Sequence, residues 1–264
     1  RLKSLPDKYI KSANYKQTLE DKSLDGVIIA TPASTHFKYA KEFISRGVNV
    51  LLEKPAAMSS KEVSELLTLS KKNRCIVLVG HLHLYNPAFL KLVEISGHIG
   101  KLRAIHFQAR SSPKRVDCPI VWDWGPHFVS MILEITKKNP NEIFANITGN
   151  SAFVKLSFQN QITATIDLQY HAKAKRRILS VLTENGFILF NDSSEKKLVL
   201  LRFFPKPGLS YPRYSDKSAL LNELQEFIKM IQEKKFPRTG LKHCLVVTKL
   251  IERIEKMSDS NLSF

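Results

Sequence analysis

Three short runs of aliphatic and β-branched residues, Leu24–Ala30, Val48–Leu52 and Cys75–Val79, are separated by two segments whose apolar residues recur at helical spacing. Strand, helix and strand joined by short connections cannot pair through tight hairpins. Such a chain builds a parallel sheet covered by helices. Leu24–Ala30 is almost continuously apolar, as a strand buried on both faces must be. After Thr31-Pro32, Phe37, Ala40, Phe43 and Ile44 lie on one helical face until Gly47, with Ser34 or Thr35 as the cap. Ser59-Ser60-Lys61-Glu62 matches a capping box and opens a helix with Val63, Leu66 and Leu67 on one side. Ligands of open parallel sheets bind beyond the carboxyl ends of the strands, and Thr31, Glu53 and His81 fall there.

Beyond about residue 100 the pattern changes. Leu102–Ala109 alternates, Phe128–Ile135 reads as a helix, and Ile143–Ile147, Phe153–Phe158, Ile162–Tyr170, Ile178–Thr183 and Phe187–Phe190 are strand candidates between Asn, Gly and Gln turns. That succession predicts a mostly antiparallel sheet. Two amphipathic helices follow, Leu220–Glu233 and Leu241–Met257. The Pro-rich stretch Phe204–Pro212 reads as a surface loop over the candidate active site.

Composition narrows the functional classes. Across 264 residues an apolar fraction of 43% is that of a globular chain, and no apolar run approaches the roughly 18 residues a membrane helix needs. Arg1–Lys16 is charged and aromatic rather than signal-like, so the expectation is a cytoplasmic protein without a membrane partner. Cys75, Cys118 and Cys244 lack metal or redox spacing and read as buried thiols. The net charge of +17 favours phosphorylated or nucleotide-linked ligands. Its basic residues are scattered over Lys101–Arg103, Lys173–Arg177, Lys196–Lys197 and Lys234–Lys235 with no aromatic nucleic-acid motif, so a solvated lysine surface is the preferred account. His81 and His83 alternate, but no carboxylate lies at ligand-like local spacing and no metal is expected. Trp122 and Trp124 are expected to pack rather than to hold a sugar face.

The chemistry gathers in Glu53-Lys54-Pro55 and Asp123-Trp124-Gly125-Pro126-His127, which together offer an ammonium, a carboxylate and an imidazole. Add Asp25-x-Val27-x-Ile29-x-Thr31-Pro32 with His36, and Gly80-His81 with Tyr85-Asn86-Pro87, and the ordered series resembles the Gfo/Idh/MocA family of NAD(P)-dependent sugar and cyclitol oxidoreductases. Leu84 departs from the pattern, where the family frequently carries an arginine. The resemblance implies an α/β chain: a truncated Rossmann-like parallel sheet in a partial dinucleotide-binding domain over residues 1–84, then an α+β substrate-binding and oligomerisation domain over 85–264 with an open-faced, mostly antiparallel sheet and the C-terminal helices. It implies homo-oligomers through that sheet. Thr31, Pro32, His36, Glu53 and Lys54 would line the NAD or NADP site. Lys54, His81, Tyr85, Asn86, Asp123 and His127 would contact a sugar or nucleotide-sugar.

Carried over residue by residue, Lys54 polarises the reacting hydroxyl, His127 acts as general base and Asp123 orients the imidazole or the sugar. Hydride can leave a carbinol carbon only if the hydroxyl proton leaves too, and imidazole is the side chain whose ordinary pKa suits that exchange. Proline at 55 holds Lys54 away from helical angles. The family also opens on a G-x-G-x-x-G turn that cradles the pyrophosphate. No two of the ten glycines here are separated by a single residue, and Arg1 corresponds to a point about 35 residues into the pattern. The chain as it stands is therefore expected to bind NAD or NADP weakly, to be inactive or impaired, and to expose an apolar edge on its first strand. A non-catalytic sugar- or partner-binding remnant of the same fold is the second reading. A basic nucleic-acid-binding protein is the third.

Overall fold

A computed structural model describes residue 6 and residues 11–111 and 118–261, with the side chains of 259–261 outside that description. After a one-and-a-half-turn helix α1 (Tyr15–Glu20), the chain forms β1 (Gly26–Ile29), α2 (Ala33–Ser45), β2 (Asn49–Leu52), α3 (Ser60–Lys72) and β3 (Val77–Val79). The strands pair in parallel in the order β1-β2-β3, as the alternation of strand and helix requires. Val50, Leu51 and Leu52 are buried because both faces of the sheet are covered. The α2 helix begins one residue before the expected caps. Pro32 is its N-cap, and Thr35 Oγ1 instead donates to the Pro32 carbonyl. Ser59 does cap α3, accepting from the Glu62 backbone N–H at 3.2 Å, while the Glu62 carboxylate reaches the Met58 rather than the Ser59 N–H. The free side of β1 pairs with no strand among the described residues, and Ile28 on it is 55% exposed.

The chain then enters α4 (Pro87–Ser96), β4 (Leu102–Arg110) and α5 (Ile120–Thr136), followed by β5 (Glu142–Ile147), β6 (Ser151–Ser157), β7 (Thr163–Gln169), β8 (Arg176–Thr183), β9 (Gly186–Asn191), β10 (Leu198–Arg202) and β11 (Gly208–Ser210). These strands form one sheet in the order β11-β10-β9-β8-β4-β7-β6-β5, antiparallel except for the β4–β7 pair. Two strands escape sequence reading. β10 lies between polar turns too close together to flag. The stretch expected as a loop contributes β11, an exposed edge strand paired with β10, because its backbone completes a ladder that β10 offers. The helix expected from Phe128 starts eight residues earlier, at Ile120, and runs through Pro126.

One face of the large sheet is dry. Ile105, Phe107, Val154, Ile166, Leu168, Leu179, Val181 and Ile188 pack there with α5 and with Leu250, Ile251 and Ile254 of α7 (Leu241–Asn261). The small sheet keeps its own cluster around Val50, Leu52, Val63, Leu66 and Val79, against which Leu241 and Cys244 of α7 also pack. Helix α6 (Ala219–Glu233) lies on the opposite side of the small sheet, where Phe227 meets Leu51 and Leu78. Both helices lie close to the strand ends that carry the candidate site.

Candidate active site

Glu53 and Lys54 follow β2 directly, and the Lys54–Pro55 peptide is cis. The lysine reaches across to α5, where its Nζ donates to the Asp123 carbonyl at 2.7 Å and to Asp123 Oδ1 at 3.2 Å. Only 12% of either side chain meets solvent. The other carboxylate oxygen accepts from the Tyr170 hydroxyl at 3.1 Å. His127 stands one turn beyond Asp123 on the same helix, so residues about seventy positions apart share one locus. Among the described residues its Nδ1 has no hydrogen-bond partner. Withdrawal of the ring from water, then the Lys54 ammonium, hold the His127 pKa well below 6.5. The imidazole is thus neutral and its lone pair available.

A second layer of histidines backs this centre. The His83 ring meets that of His127 edge to face, with centroids 4.8 Å apart. His81 points its Nδ1 at the Pro126 carbonyl, 3.3 Å away, and meets His243 edge to face at 5.0 Å. Burial drops His81 to a pKa of about 3 and His83 to about 4. Arg177 lies over the Trp124 indole at 5.3 Å and pairs with Asp192, which also accepts from Lys197 and from Asn86 Nδ2. His83, Asn86, Arg177, Asp192, Lys197 and Tyr214 border a cavity of about 450 Å³.

The remaining expected residues divide. His36 is buried, with one ring nitrogen 2.7 Å from the Pro55 carbonyl and the other 2.7 Å from the Thr31 carbonyl. It ties the turn after β1 to the turn after β2, and Thr31 and Pro32 sit in the first of them. Glu53 lies across Gly80, where a Cβ would come within 3.1 Å of Glu53 Oε2, so a side chain there would press the carboxylate out of its present place. Asn86 caps α4 with its carbonyl oxygen and turns its amide to Asp192. Tyr85 is directed elsewhere. Its hydroxyl bonds Thr239 at 2.6 Å, and it packs with Leu51, Leu78 and Phe227. Trp122 and Trp124 are core residues. Tyr170, Arg177, Asp192 and Lys197 were not singled out by sequence. They arrive from strand ends of the large sheet, where no local pattern marks them.

A parallel sheet set against an open antiparallel one, with Lys54, Asp123 and His127 gathered at the strand ends, is a fold this chain shares with solved oxidoreductases. Residues 7–81 match the model of the oxidoreductase family with an NAD-binding Rossmann fold, and over that span the chain is similar to the Gfo/Idh/MocA oxidoreductases. It is 26% identical over 122 residues to UDP-N-acetylglucosamine 3-dehydrogenase of Acidithiobacillus ferrooxidans, a stretch covering 46% of this chain and 39% of that one. Among solved structures, the crystal structure of that enzyme superposes with a TM-score of 0.84 at 17% identity over 96% of this chain and 84% of the other. A candidate oxidoreductase from Magnetospirillum magnetotacticum MS-1 superposes with a TM-score of 0.83 at 26% identity, over 94% and 85%. The matched stretches span from about a third to just over half the length of the first curated relatives. No helix among the described residues is long and apolar enough to cross a membrane.

Proposed function

We propose that this chain carries the catalytic centre of an NAD(P)-dependent dehydrogenase acting on a hydroxyl of a sugar or nucleotide-sugar. The observation that carries the reading is the junction of Lys54 with Asp123, one turn from His127. A nicotinamide held by the turns at Thr31-Pro32 and Glu53-Lys54 would supply the hydride acceptor. Lys54 presents positive charge to the hydroxyl oxygen and stabilises the alkoxide character that develops on it. His127, kept neutral by burial and by that same ammonium, takes the hydroxyl proton. Asp123 holds the lysine and is itself held by Tyr170, so the charge stays aimed. His36 acts at one remove by locking the two cofactor-facing turns.

Support for a polyhydroxyl substrate comes from the neighbouring cavity. Asp192 accepts there while Asn86 and Lys197 donate, an alternation that suits hydroxyl groups able to do both. Relatives named as a UDP-N-acetylglucosamine and an inositol dehydrogenase favour the same class. We place the division between a dinucleotide-binding part and a substrate-binding part near residue 84, and assign the open face of the large sheet to self-association. The test is nicotinamide absorbance with NAD and NADP across sugars and nucleotide-sugars, with circular dichroism to confirm folding. His127→Ala and Lys54→Ala should each lower turnover by about a hundredfold to ten-thousandfold. Unchanged turnover in both rejects the assigned roles.

A further inference from the structure

Glu223 sits in the middle of the buried face of α6, one turn before Phe227, and none of its surface reaches solvent. Neither carboxyl oxygen has a hydrogen-bond partner among the described residues. The titratable groups facing it are Glu53, from the end of β2, and the Tyr85 phenol, whose hydroxyl is already engaged by Thr239. Glu226, on the same helix, lies toward Tyr85 as well. The nearby cation, Arg238, lies over the Tyr85 ring and pairs with Glu134. Among the described residues no cation compensates Glu223.

An ionised carboxylate placed so, dry, unbonded and facing a second carboxylate, is far costlier than a neutral carboxyl group. Of the two acids, Glu53 is the better supported as the ion. It accepts from the Lys54 N–H at 3.1 Å and is only partly buried. Burial first, and the Glu53 charge second, raise the Glu223 carboxyl from 4.5 to about 8. We propose that Glu223 is a positioning residue that keeps a proton at neutral pH, so that Glu53 can hold its carboxylate across Gly80 as an acceptor for the hydroxyl groups of the cofactor. The proposal rests on reading the strand ends as a cofactor site. Its first part, the held proton, does not.

Equilibrium unfolding of the ligand-free protein reads the proton directly. The unfolded chain releases it near 4.5 and the folded chain near 8, so the advantage of the fold is whole below 4.5 and is lost as pH rises to about 8. In that window the unfolding constant of the wild type should rise about tenfold per pH unit relative to Glu223→Gln, then run parallel above it. In Glu53→Gln, the repulsion gone, the levelling should come at lower pH. Unfolding curves of wild type and Glu223→Gln that stay parallel from pH 5 to about 8 overturn the proposal. NADH titration of the protein reads the positioning: its affinity should weaken above about pH 8 in the wild type and stay level in Glu223→Gln. Equal pH profiles overturn the positioning role. Absence of NADH binding at every pH rejects the dehydrogenase reading, and the unfolding comparison still decides whether the proton is held.

Discussion

A methyl group placed on Gly125 would sit 2.9 Å from both Cδ1 and Cγ1 of Ile251, a separation real side chains do not adopt. That glycine lies where α5 packs directly on Ile251 of α7, one residue from the proline and two from His127. Alanine would gain about 1 kcal/mol of helix propensity, but overpacking a dry contact costs about 1–3 kcal/mol. The second term wins. Gly125→Ala should lose about 1 kcal/mol in denaturant unfolding, and adding Ile251→Val, which removes Cδ1 but keeps the Cγ carbons, should restore part of it; an unchanged midpoint in the single variant would show that the two helices part freely. The Lys54–Asp123 pair is held to a similar standard, since removing one partner strands the other in a dry place.

Among the elements, the 3₁₀ turn carrying His83, the end of β3 with His81 and the helix α5 with His127 bring three imidazoles together, all with depressed pKa values. Each binds a proton at 6.5 in the unfolded chain but not in the fold until pH falls to about 4 for His83 and about 3 for His81. The unfolded state therefore holds more protons below 6.5, and stability must fall as the medium is acidified through that range. Each group contributes about 1.4 kcal/mol per pH unit once fully engaged. Urea midpoints between pH 7 and 5 should drop steeply, and His83→Gln should flatten the slope; a midpoint indifferent to acid would mean that the rings are solvated. The elements themselves were largely readable. A capping box, Gly47 and period-2 alternation are local signals, and each marks a real boundary within a few residues. β11 was not readable because its strand character is lent by its neighbour.

At the scale of the whole molecule, the large sheet has one face that no element among the described residues covers. Leu182 pairs with Phe187, Phe187 with Leu201 and Leu201 with Leu209, so the four lie in one row across β8 to β11. Leu182, Leu201 and Leu209 are 38%, 41% and 61% exposed. A contiguous apolar row of this kind suits a surface that another protein covers, and a second copy is the partner proposed above. Sedimentation should find dimers or larger assemblies, and Leu201→Asp should shift them to monomers. A monomeric wild type at micromolar concentration would sink the assignment.

From the order of residues alone came the parallel sheet, the later antiparallel one, and the anchors Lys54, Asp123 and His127, because periodicity and short motifs are properties of neighbours in the chain. What only the folded chain decided is who meets whom: Tyr170 on Asp123, His83 on His127, Tyr85 turned toward Thr239, and Glu223 sealed beside Glu53. Hydrogen-bond partners and loss of water depend on segments dozens to more than a hundred positions apart. No local pattern encodes a distance of that kind, and the protonation states at the site follow from it.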